Sequence, residues 1–115
     1  MTTAYLSHSD CLQHEMGAGH PEQPGRLTAI QQALQTAGLW QQLQHITPPQ
    51  ASDAQLARVH TAAYIAHIRH TAPVQGLTYL DPDTAMNPHS LSAALHAAGA
   101  LVQAVDSVMQ GTADN

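Results

Sequence analysis

His14-Glu15-Met16-Gly17-Ala18-Gly19-His20-Pro21-Glu22-Gln23-Pro24-Gly25-Arg26 is the stretch on which the fold of this chain turns. It holds three of the seven glycines, two of the seven prolines and one of only three basic side chains. Glycine opens backbone angles closed to other residues, and proline fixes φ and donates no N–H. A loop punctuated in this way holds one shape, and it sets an imidazole, a carboxylate and a guanidinium (His20, Glu22, Arg26) close together. Polar groups on a fixed loop are where binding and catalysis concentrate, although a plain strand-to-helix connector facing water has the same composition.

Upstream, Thr3 to Leu6 reads as a short strand that runs into a loop from Ser7 to Gly25. After it, Leu27, Ile30, Leu34 and Ala37 recur at helical spacing, with Pro24 suited to the first turn and Gly38 to the stop. Strand, loop and helix in that order open an α/β fold. A second strand is expected around His45-Ile46-Thr47, ended by Pro48-Pro49. Ser52 and Asp53 then start a helix with Leu56 and Val59 inward, and Thr61 caps another with Tyr64, Ile65 and Ile68 as its buried stripe. Pro73 to Pro88 reads as loop. Ser90 is expected to cap the longest helix, whose wide apolar face includes Leu91, Leu95, Leu101, Val105 and Met109. Gly99 in mid-helix costs about 1 kcal/mol against alanine, which points to a close backbone approach. Gly111 ends that helix. Two short strands cannot cover four helices, so the chain reads as part of a larger folding unit; an all-α bundle is the alternative.

Composition narrows the functions. The chain has 115 residues, a net charge of −5, three arginines and no lysine, which argues against nucleic acid as a direct partner. Only 10% of residues are charged, against about a quarter in typical domains. Cys11 is the single cysteine, so no internal disulfide can form and a reducing compartment fits. No signal peptide and no uninterrupted apolar run of membrane-spanning length is read. A cytoplasmic location, with no membrane partner, is expected.

Nine histidines invite a metal reading. His60, His67 and His70 share a helical face but have no carboxylate among them, and a solvated face explains them better. His8, Cys11 and His14 have zinc-like spacing with only one thiolate. Asp81 and Asp83 flank Pro82; in an extended chain both would point to one side and could bind a cation or accept a substrate N–H. Otherwise Asp83 and Thr84 only shape a turn. No metal-ligand set and no catalytic residue is assigned to this chain.

Two blocks nevertheless resemble a known family. Tyr5…His8…Cys11…His14…Gly19-His20-Pro21-Glu22-Gln23-Pro24-Gly25-Arg26 is similar to the opening of the histone deacetylase and acetylpolyamine amidohydrolase superfamily, and closest in type to its bacterial, class II-like branch. Tyr79-Leu80-Asp81-Pro82-Asp83-Thr84, leading through Ser90 into Ala93–Gly99, resembles that family's second loop and following helix. The resemblance runs from about Ala4 to Asn115. It implies the arginase/deacetylase fold, with a parallel sheet between helical layers, and a zinc-dependent hydrolysis of acetyl-lysine or acetylpolyamine amides. Zinc in that family is held by two aspartates and a histidine, an adjacent His-His pair moves protons, and a Tyr or His stabilises the oxyanion.

Carried over, the resemblance places His20, Pro21 and Glu22 beside the substrate channel and Arg26 at its inner end, near the acetate exit. Asp81 becomes the rim carboxylate, with Asp83 and Thr84 shaping its loop. The chain has no His-His pair and no Asp-x-His motif. Residues 1–115 are therefore expected to be the N-terminal fragment of one deacetylase-type catalytic domain, inactive and without zinc by itself. Exposed apolar faces are expected to favour self-association. The alternative is a free-standing helical interaction module of deacetylase ancestry.

Overall fold

The computed structural model describes all residues, Met1–Asn115. β1 (Ala4–Leu6) pairs in parallel with β2 (Gln44–Ile46), with Tyr5 opposite His45, and α1 (Gly25–Thr36) crosses over between them. This is the β-loop-α-β unit that the central stretch predicted, and the fold is α/β. On the other edge of β1, the Ala4 N–H donates to the Asn115 carbonyl at 2.8 Å and the Asp114 N–H to the Thr2 carbonyl at 2.8 Å. The tail after the last helix thus lies against β1 as a parallel neighbour would.

Pro24 stands at the start of α1 with φ −56°, already helical, and Gly38 follows its end with φ +70°, the left-handed conformation glycine accepts at low cost. Tyr5 packs edge-on to Trp40 at 5.2 Å and to His45 at 5.7 Å, so the aromatic residues of the parallel pair form one small cluster.

The second half departs from expectation in four places. The Ser52 helix exists as α2 (Asp53–Leu56), closed by a Ser52/Gln55 capping box, but it stops before Val59, which is 80% exposed rather than inward. α3 (Ala62–Thr71) begins at Thr61 as read, yet Tyr64 is 49% exposed and Ile65 and Ile68 are only half-buried. The segment taken as loop contains a hairpin, β3 (Thr78–Asp81) and β4 (Thr84–Met86). Pro82 fixes φ near −65° and so excludes the primed turns that match strand twist; the register slips at Leu80, where the ladder bulges. Finally, Ser90 is the first residue of α4 (Ser90–Met109) rather than its cap.

α4 meets its expected inward face only in part: Leu95 is buried and Leu91 half-buried, but the large residues further along are not. Ser90, Ala93, Leu95, Gly99 and Ser107 are the buried positions, while Leu101 is 70% and Met109 80% exposed. Small residues face inward because the chain passes so close: a Cβ at Gly99 would lie 1.9 Å from the Pro49 carbonyl oxygen, and the Ala51 N–H donates to the Leu95 carbonyl at 2.9 Å. By length and mean hydropathy (1.3) α4 could span a bilayer, although His96, Gln103 and Asp106 interrupt its apolar run. The molecule is a slab 41 × 34 × 20 Å, and 11 of its 115 residues are buried.

Candidate functional site

The two sequence blocks meet in space. Gly17 (φ +107°) and Gly19 (φ +78°) turn the first loop back on itself, and the His20 N–H donates to the Gly17 carbonyl at 3.3 Å. His20 Nδ1 accepts the Glu22 N–H at 3.0 Å, which leaves the ring proton of the neutral imidazole on Nε2. That nitrogen lies 3.3 Å from Asp83 Oδ1, on the hairpin turn 63 residues later. The loop and the hairpin enclose a cleft of about 390 Å³, with Gly17–Pro21 on one wall and Tyr79, Pro82 and Asp83 on the other.

Asp81 and Asp83 do not project side by side as an extended chain would place them. The Asp83 N–H donates to Asp81 Oδ1 at 2.8 Å, so Asp81 folds back to close the turn. Its Oδ2 makes no hydrogen bond within the chain, and the residue is exposed at the tip. Asp81 is thus a turn-fixed carboxylate with one oxygen free to accept an N–H.

Glu22 and Arg26 face elsewhere. They form an ion pair one helical turn apart at the start of α1, and both line a larger groove of about 670 Å³. Its walls are apolar residues of α1, α3 and α4, among them Leu27, Ile30, Ile65, Ile68 and Leu91. The structure therefore brings His20, Pro21 and Asp83 together at the small cleft, sets Glu22 and Arg26 on the large groove, and leaves Asp81 at the tip between loop and solvent.

A buried network holds the first loop on α4, and sequence reasoning missed most of it. Asn87 Nδ2 donates to the Gln13 carbonyl at 2.7 Å, and Asn87 Oδ1 accepts from the His89 N–H and the Ser90 hydroxyl, each at 3.0 Å. Ser90 Oγ accepts the Asn87 N–H at 2.8 Å and lies 2.6 Å from His14 Nδ1. The available signal was Asn87-Pro88 before a helix, a turn-forming pair whose amide needs partners.

The implied zinc, with two aspartates and a histidine, does not fit the loop residues. Asp81 folds back through Oδ1 to close its turn, Asp83 accepts a hydrogen bond from His20 Nε2 and Glu22 is paired with Arg26. Three metal-capable side chains converge at one other place, His8, Asp10 and His96.

Residues 20–115 match the histone deacetylase domain family. The chain is 35% identical over 104 residues to the histone deacetylase-like amidohydrolase of Pseudomonas aeruginosa, covering 90% of this chain and 27% of that protein. It is 31% identical to human polyamine deacetylase HDAC10, over all of this chain and 18% of that protein. A crystal structure of the HDA15 HD domain superposes with a TM-score of 0.89 at 30% identity, covering all of this chain and 34% of that one. The chain thus spans about a quarter or less of the length of these two curated relatives.

Proposed function

The chain belongs to the histone deacetylase family, and from that premise we propose that it forms the substrate-facing N-terminal part of a zinc-dependent amidohydrolase. The substrates would be acetylated amines of the acetyl-lysine or acetylpolyamine type. The observation that carries this reading is the meeting of His20 and Asp83 at 3.3 Å, which joins the two loops into one rim. Asp81 stands on that rim with Oδ2 free, placed to accept an N–H of the substrate. Arg26, fixed by Glu22, contributes the one cationic group of the first loop to the deeper groove.

These residues bind and orient; none supplies a nucleophile. Zinc in this family polarises the amide and its attacking water. The chain alone is therefore expected to have no amidohydrolase turnover. A chimera tests this reading, in which residues 1–115 replace the matching segment of the Pseudomonas relative. Chelator-sensitive amide hydrolysis by the chimera, with none from the chain by itself, is the expected outcome. A correctly folded chimera without turnover would count against it.

A second reading, an interaction module of deacetylase ancestry, is favoured by the exposed Leu101, Val105 and Met109 on α4. Those side chains present one apolar strip along the helix, suited to association with another surface or a second copy.

A further inference from the structure

We propose that His8, Asp10 and His96 form a binding site for a divalent metal ion of the zinc class, which pins the first loop to α4. The three residues come from distant parts of the chain. His8 and Asp10 flank the start of a 3-10 turn (Ser9–Leu12), and His96 lies in the second turn of α4. Their donor atoms all lie within 4.8 Å of one another, and all three residues are half-buried. None of them lines the cleft or the groove of the proposed substrate rim.

Two of the three donors, His96 and Asp10, are held by their neighbours. His96 Nδ1 donates to the buried Pro48 carbonyl at 2.9 Å, which fixes the tautomer and leaves the Nε2 lone pair free. A ring nitrogen tied to a backbone carbonyl is the usual support of a metal-bound histidine. The Ser92 hydroxyl donates to Asp10 Oδ2 and holds the carboxylate toward both imidazoles. That hydroxyl is the main reason the Asp10 carboxyl sits below its ordinary range, against the opposing effect of burial; His8, His96 and His89 add to it. His8 Nδ1 lies 3.7 Å from Asp10 Oδ2, a separation that two ligands of one ion can have when each bond is about 2.1 Å.

Two imidazoles and one carboxylate suit zinc, cobalt or nickel rather than calcium or magnesium, which prefer all-oxygen shells. The His8 and His96 rings are stacked at 3.5 Å and 6°. An ion in the plane of His96 lies outside the plane of a parallel His8. Binding therefore turns the His8 ring, which gives up the Asp10 N–H it accepts at 3.1 Å, while His96 stays on Pro48. The bound ion leaves at least one position for water and adds a further tie between the first loop and α4, which the Ser92–Asp10 and His14–Ser90 contacts already join.

The test titrates the chelator-stripped chain with cobalt(II), followed by visible absorbance, and with zinc, followed by thermal melting. One equivalent of cobalt with d–d bands is expected, together with a Tm rise of roughly 10 °C at a hundredfold excess of zinc over Kd. His8→Asn keeps an acceptor for the Asp10 N–H but removes the imidazole. It, Asp10→Asn and His96→Gln should each weaken binding at least about tenfold. A triple His60→Gln, His67→Gln, His70→Gln variant on the α3 side should bind like the parent. The proposal is overturned if the parent binds no stoichiometric cobalt, if His8→Asn binds unchanged, or if the triple variant loses the site. Should His96→Gln fail to fold, judged by circular dichroism, His8→Asn decides alone.

Discussion

At the scale of single residues, chemistry was legible where one atom decides. Gly99 reads from sequence as a close approach, and the Pro49 carbonyl lies where its Cβ would be. Gly99→Ala should therefore destabilise the chain by roughly 3 kcal/mol, because a backbone carbonyl cannot rotate aside as a side chain can. Urea unfolding measures this, and a change under about 1 kcal/mol would mean that the Pro48–Ala51 segment moves freely. Arg26 tests the opposite separation. Its exposed pair with Glu22 adds no more than about 0.5 kcal/mol to stability, so Arg26→Ala should leave unfolding nearly unchanged. In the chimera the same substitution should slow turnover, since the groove loses its loop cation. Asp81 and Asp83 stand out in the sequence as two carboxylates around Pro82, but their geometry was not legible. An Asx turn forms when a carboxylate finds a nearby N–H, and alternation along an extended chain says nothing of that.

At the scale of elements, reading succeeded where signals are local and failed where tertiary contacts decide. The capping box at Ser52, the Thr61 cap and the glycine stops at Gly38 and Gly111 are each set by neighbours within a few residues. The hairpin at Thr78–Met86 was hidden because Pro82 is not a hairpin-turn residue, and only the bulge at Leu80 reconciles it with pairing. The face of α4 was read rightly at Leu95 but not at Leu101, Val105 and Met109, because hydrophobicity alone cannot tell an inward small residue from an outward large one. Asn87 belongs to this scale too, since it joins the end of β4 to the loop before the candidate site. Asn87→Ala would strand the Gln13 carbonyl and the Ser90 hydroxyl, at a cost of roughly 2 kcal/mol. Hydrogen exchange should then accelerate across Gln13–Met16 more than in α1. Uniform acceleration would instead mean that Asn87 supports the whole fold rather than the loop.

For the whole molecule, fold class and family followed from two motif blocks in the right order, and what remained hidden was how little the chain covers itself. Leu101, Val105 and Met109 on α4 are exposed, while most of the buried positions are alanine, glycine or serine. That arrangement favours association, so sedimentation should detect species larger than a monomer. Leu101→Gln with Val105→Gln should return them toward monomer, and a parent that is already monomeric at high concentration would contradict the proposed strip. The central claim, however, is that the two loops form a substrate rim on which Asp81 orients the amide. The measurement that addresses it most directly is kcat/KM of the chimera on an acetyl-lysine substrate, with Asp81→Asn compared to Asp83→Asn. Misplaced substrate costs about 10²-fold, so Asp81→Asn should fall by roughly that factor and Asp83→Asn by clearly less. Equal losses, the reverse order, or no loss at Asp81 would contradict the substrate-positioning role.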